Sequence, residues 1–305
     1  MDPRIGFRRG ENEYWLQDLR TPRPERLMLE HGAKGLGMAP VKTESSPLLG
    51  GNGSLLLGVR MEGRPIIIPA VLDAPTEADA NDQRREIMDF LSPLDITGIG
   101  RAPVDPADGL QLMVESEELG RREIGVVYTD GLDGDFGGDY TSRSQSFLLE
   151  FEAVEHLWRG RPVELSKTVA PARKPFLSTT VPFFPIVLSA STVQGEMSLL
   201  VRGDAPVFPV WTVTGPGRDL SITNPRTRER FYLEGSITSP ITIDMANGDV
   251  VSREAPNGEL FDRVSLDSKM MPLEPGNSMW NVALVGATED SNISVTYTPR
   301  WLTGY

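Results

Sequence analysis

The chain has 305 residues, 43 Asp and Glu against 30 Lys and Arg, a net charge of −13 and no cysteine. That surface repels phosphate backbones and anionic lipid, which argues against nucleic-acid binding. The missing thiols exclude disulfides, a thiol nucleophile and zinc–thiolate centres.

The first residues, MDPRIGFRRGENEYW, lack the apolar stretch of a signal peptide. The longest apolar run, PIIIPAVL at 65–72, is too short to cross a bilayer. The expectation is a protein made soluble in the cytoplasm. Thirty Gly and 25 Pro are spread along the chain, as expected where many short strands are joined by turns.

In chain order, YWLQDL at 14–19 and PERLMLEH at 24–31 read as strands, and HGAKGLGMAP at 31–40 as loop. Gly35 and Gly37 suit backbone at positive φ. SSPLLGGNGS at 45–54 reads as a mobile loop of the kind that contacts partners. SLLLGVRMEGRPIIIPAVLD at 54–73 is predicted to be a hairpin about Glu62-Gly63, its IIIPAVL strand buried on both faces. One helix is predicted at about 76–92. Thr76 and Asp79 stand at capping-box spacing, Ile87, Met88 and Leu91 form an apolar stripe, and Ser92-Pro93 stops it. Strands follow at 109–118, 122–132 and 145–158, where Phe147, Leu149 and Phe151 alternate with outward positions.

The polar stretch from Trp158 to about residue 180 marks a domain boundary, giving an N-terminal domain 1–160 and a C-terminal domain 161–305. VFPVWTVT at 207–214 is a strand that Pro209 should place at a sheet edge or bulge. Gly215-Pro216-Gly217 fits a type II turn. ITIDMANGDVVSRE at 241–254 is a hairpin centred on Asn247-Gly248. MWNVALVG at 279–286 and NISVTYTP at 292–299 read as another hairpin, with Ile293, Val295 and Tyr297 sharing a face. Seven to nine short strands in this half predict a β-sandwich. The fold class is all-β with one helix, in two β-sandwich domains.

No stretch carries a catalytic, cofactor or metal constellation. Asp130, Asp133, Asp135 and Asp139 in TDGLDGDFGGDY offer oxygen ligands, yet they match only a fragment of a calcium loop and read as a polar connection. His31 and His156 stand without a partner motif, and the chain has no G-x-S-x-G elbow. A glycosidase would need two carboxylates ~5–10 Å apart, and no spacing points to such a pair. Trp158, Trp211, Trp280 and Trp301 would serve either as core or as a platform for stacking sugar rings.

Several stretches together, in order and over about nine-tenths of the chain, resemble the distal tail proteins of long-tailed siphophages, also called minor tail or tail-tip proteins. In the first half these are GLGMAP, RPIIIPAVLDAP, RREIMDFLSPL, VVYTDGLDGDFGGDY and FLLEFEAVEHLWRG. In the second they are DAPVFPVWTVTGPGRDLSITN, LEPGNSMWNVALVG and SVTYTPRWLTGY. The resemblance implies a ring-forming, tail-tube-like N-terminal sandwich with an extended hairpin, and a galectin-like or carbohydrate-module-like C-terminal sandwich. It implies a structural virion protein, not an enzyme and without cofactors, at the distal end of the tail. It would form a homo-oligomeric, hexameric ring between the tail tube protein and the tail-tip hub or tail-associated protein, in reach of the tape measure protein. DNA would pass only as cargo, and no membrane is implied. The alternative is a carbohydrate-binding module that contributes to attachment through a host-surface glycan.

Overall fold

The computed structural model describes residues 3–19, 25–48, 50–93, 109–133, 141–153, 155–168, 192–252 and 258–305. The chain divides into two compact units, Met1–Gly160 with Trp301–Tyr305, and Arg161–Arg300. Residues 301–305, expected with the second domain, fold with the first.

Unit 1 contains β1 (Arg4–Arg9), β2 (Asn12–Trp15), β3 (Gln17–Asp18), β4 (Met28–Leu29), β5 (Val41–Pro47), β6 (Ser54–Met61), β7 (Arg64–Asp73), α1 (Glu77–Leu91), β8 (Leu110–Ser116), β9 (Gly120–Asp130), β10 (Ser144–Ala153) and β11 (Trp158–Arg159). Its main sheet runs β2-β1-β8-β9-β10-β7-β4-β3. Strand β9 makes the corner: residues from 120 to 125 pair with β8, and those from 126 to 130 pair with β10. Phe7 on β1 and Phe151 on β10 are three strands apart, yet their ring centroids lie 5.1 Å from each other. Flat strands so placed would be about 14 Å apart, so the sheet curls over and its two halves face each other across the core. Ile5, Phe7, Leu112, Ile124, Ile66, Ile68, Leu149 and Phe151 fill that core.

The helix begins where the sequence predicts. Thr76 Oγ1 accepts from the Asp79 N–H at 3.2 Å, and the helix gives way at Ser92. The stripe differs from expectation: Ala80, Gln83, Ile87 and Leu91 are buried, while Met88 is exposed. A residue one position beyond Ile87 is turned ~100° off the core-facing line. Strand β7 also differs. Ile66, Ile68, Ala70 and Leu72 are buried, whereas Ile67, Pro69 and Val71 are half-exposed, so one face is buried rather than both.

Unit 2 contains β12 (Val163–Thr168), β13 (Thr192–Val201), β14 (Val210–Thr214), β15 (Gly217–Thr223), β16 (Arg230–Ile237), β17 (Ile241–Asp244), β18 (Val250–Ser252), β19 (Gly276–Val285) and β20 (Asn292–Tyr297); β21 (Arg300–Trp301) follows. A five-stranded sheet, β12-β20-β14-β17-β18, faces a four-stranded one, β13-β19-β15-β16. Trp211 from the first and Trp280 from the second approach to 6.2 Å between rings, both fully buried.

Three expectations are corrected here. Strand β14 is central, with β20 on one side and β17 on the other. Pro209 precedes it and its carbonyl accepts from Met245, so the missing N–H costs the ladder nothing. The Gly215–Pro216 bond is cis, unlike that of a type II turn. The segments 279–286 and 292–299 do not pair: β19 and β20 lie in opposite sheets. The hairpin at Asn247-Gly248 is present, with Ile243 opposite Val250 and Gly248 at φ 82°. Ile293, Val295 and Tyr297 share the buried face as predicted.

Candidate assembly surface

Among the described residues, strands β5 and β6 pair only with each other, apart from the main sheet. This corrects the expected pairing of β6 with β7, and it turns the stretch 45–54 from loop into strand ends and a turn. The physical reason lies at the two ends. Gly50 and Gly53, at φ 82° and 114°, reverse the chain, and Leu48 N–H reaches Gly53 O at 3.2 Å. At the root, Glu62 N–H donates to Pro40 O, so β6 turns back on β5 before β7 begins.

Residues opposite each other across a ladder share a face. One face therefore holds Val41 with Met61, Thr43 with Val59, and Ser45 with Leu56. The other holds Lys42 with Arg60 and Glu44 with Gly58, and the Glu62 carboxylate forms ion pairs with Lys42 at 3.7 Å and Arg60 at 3.5 Å. The register slips between Glu44 and Ser45, which leaves Leu57 as the extra bulge residue. Leu55, Leu56, Leu57 and Val59 are each more than half exposed. Leu55, opposite Ser46, falls on the charged face, so the apolar face is carried by Leu56 and Val59 with Leu57 at the bulge; such side chains in water are the mark of an interaction site.

A second surface covers the outward face of β1, β2, β8 and β9. Glu123 binds Arg8 at 2.5 Å and Arg121 at 2.6 Å, and Arg121 also binds Glu13 at 2.6 Å. Glu13 accepts from Trp15 Nε1 at 2.9 Å, and the Arg4 guanidinium stands 4.6 Å over the Trp15 ring. Gln111 and Met113 are fully buried under this layer. Burial by itself would raise the Glu13 carboxyl, but Arg121, Trp15 and Arg8 together hold it below its usual range. Charges in the sequence are also uneven: residues 1–160 have 28 Asp and Glu against 17 Lys and Arg, whereas residues 161–305 have 15 against 13.

The residues singled out in the sequence do not converge. His31 and His156 are exposed and stand in different segments. Asp130 accepts from the Gly131 N–H at 2.8 Å, and both it and Asp133 are exposed; Asp135 and Asp139 lie outside the described residues. Among the described residues no group of three or more His, Asp or Glu could hold a metal ion. Trp158, Trp211 and Trp280 are fully buried and Trp301 is half-buried. The three buried indoles offer no face to a sugar. The resemblance implied an extended hairpin, but its place at 41–61 escaped the reading of the residues, although the leucine triplet before Gly58 and the glycines of GGNGS were its signal.

Residues 202–301 match the family model described as siphovirus-type tail component, C-terminal domain. The whole chain is similar in structure to SPP1 Dit (gp 19.1), described as a paradigm of the hub adsorption apparatus in phages infecting Gram-positive hosts. There the TM-score is 0.61 at 13% identity, over 98% of this chain and 99% of that one. Structures of the phage P2 baseplate in its activated conformation, with Ca and with Sr, align over 97% of this chain and 98% of theirs. Those two reach 8% identity and TM-scores of 0.49 and 0.48. No curated protein sequence matches. The all-β class and the resemblance to the distal tail proteins are thereby borne out.

Proposed function

We propose that this protein is a structural component of the tail tip of a siphophage, a ring of identical subunits at the distal end of the tail. Support comes from the match of residues 202–301 to the tail-component family model and from the similarity of the fold throughout to that of SPP1 Dit. The single observation that carries the ring is the apolar face of the β5–β6 hairpin. A monomer has no use for Leu56, Leu57 and Val59 in water; a neighbouring copy would cover them.

Six copies would join the tail tube protein above to the tail-tip hub below and leave a channel for DNA. The acid excess of residues 1–160 supports such a wall, because like charge keeps DNA from sticking. The work of the protein is done by its interfaces, and it has no turnover. Burial of Trp211 and Trp280 weighs against the carbohydrate-module alternative.

Light scattering with negative-stain imaging tests the ring. The expected particle has about six times the chain mass of 33.5 kDa and a central hole. The double variant Leu56→Asp/Leu57→Asp is expected to remain a folded monomer. A wild-type chain that stays monomeric even with its tail tube protein present would overturn the reading.

A further inference from the structure

After unit 2, the chain returns to unit 1 for residues 301–305. Strand β21 pairs with β11, which pairs with β9. The Arg122 guanidinium lies 4.0 Å over the Trp301 ring and donates to Thr303 O at 2.9 Å and to Tyr305 O at 3.2 Å. Gly304 lies flat on Trp158: a Cβ there would stand 2.8 Å from the indole Cζ2. The Gly304 N–H donates to Leu36 O at 2.8 Å.

Leu36 belongs to the segment that leads into β5. Lys34 in that segment bridges Ile67 on β7. Gly35, at φ 81°, approaches β7 so closely that a Cβ would stand 2.3 Å from Pro65 O. Gly37 O accepts from Arg64. The root of the hairpin is thus held between β7 and the returning residues.

Arg64 makes this arrangement poised rather than permanent. It is 2% exposed and stacks 5.6 Å from the Trp158 ring, and its Nε and Nη2 find no hydrogen-bond partner among the described residues. A buried guanidinium so thinly compensated favours any motion that lets water reach it.

We propose that Trp301–Tyr305 is a releasable strap that governs the hairpin root: seated, it locks residues 34–37 against β7; lifted, it exposes Arg64 to water and frees the β5–β6 hairpin to reorient. Its consequence for assembly rests on the ring reading above, but the strap itself is read on the unassembled chain.

Hydrogen exchange on the full-length protein, diluted below assembly, tests it with two variants. Gly304→Val cannot lie on Trp158. It is expected to speed exchange at residues 34–40 and 301–305 by roughly tenfold or more while β19 keeps its protection. Arg64→Leu removes the buried charge and is expected to slow exchange at 301–305 several-fold. Fast exchange at 301–305 with residues 34–40 unchanged would sink the proposal. If Gly304→Val strips protection from all of unit 1, the Arg64→Leu arm decides, and unchanged or faster exchange at 301–305 refutes the strap. A strap that passes both arms in a protein that forms no ring leaves the device standing and removes only its role in assembly.

Discussion

Unit 2 packs its large apolar side chains between two facing sheets, and those exposed among the described residues are spread over separate segments: Leu200, Phe208, Val251, Phe261, Leu266 and Met279. Unit 1 has an equally dry core yet gathers Leu55, Leu56, Leu57 and Val59 on one strand in water. Scattered exposed residues are ordinary, whereas a contiguous row on a detached hairpin has a purpose. The acid excess lies in residues 1–160 as well. The difference teaches that one unit can combine a dry core with a row of apolar side chains left in water. Among the described residues, unit 2 has no such row, whereas unit 1 keeps one outside its core.

The sharpest way to break this contrast is through the Trp211–Trp280 pair. Trp211→Ala is expected to destabilise unit 2 by about 3–5 kcal/mol, since it empties the centre of its core. Calorimetry should show one transition moving down while that of unit 1 stays. A joint shift of both would mean that the units do not fold independently.

Next in size comes the Tyr14 hydroxyl in unit 1. Burial raises its pKa to about 12, and its oxygen accepts from the Leu27 N–H. Because the folded value lies above the unfolded one of ~10, its contribution is fully present below pH ~10 and is lost as pH rises towards 12. The stability of unit 1 should fall across that window by an amount on the order of 3 kcal/mol, read as a drop in its melting temperature, and Tyr14→Phe should flatten the dependence.

A smaller effect is expected at the helix. Thr76→Ala removes the cap on the Asp79 N–H and should cost about 1 kcal/mol in urea denaturation, again in unit 1 alone. Val59→Thr, on the exposed face of the hairpin, should change stability by less than about 0.5 kcal/mol. It should nonetheless weaken the ring in a dilution series. Equal assembly of this variant and the wild-type chain would detach the hairpin from the interface.

Much of the local structure was legible in the sequence. Phe147, Leu149 and Phe151 face the core of unit 1, and Ile293, Val295 and Tyr297 that of unit 2, because alternation along a strand puts every second residue on one side. Thr76 and Asp79 placed the start of the helix, because the cap is a contact over three residues. The family resemblance reached further, to the extended hairpin and the two sandwiches. It left open which side chains form the interaction face.

Pairing was another matter. A strand's pattern says which side is wet, and it does not name the neighbouring strand. The sequence neighbours β6 and β7 have an apolar run each, and so do β19 and β20, yet neither couple forms a ladder. Strand β14 holds the middle of its sheet although Pro209 stands at its door, because the proline carbonyl still serves Met245. The return of Trp301–Tyr305 to unit 1 depends on Arg122, Trp158 and Leu36, all more than 140 residues away along the chain. Composition, alternation and capping act over a few residues, so the sequence by itself determined an acidic all-β protein, its helix and the inward faces of its strands. Partners brought together from distant parts of the chain could be decided only by the tertiary structure, because their contact energy exists only once the core has closed.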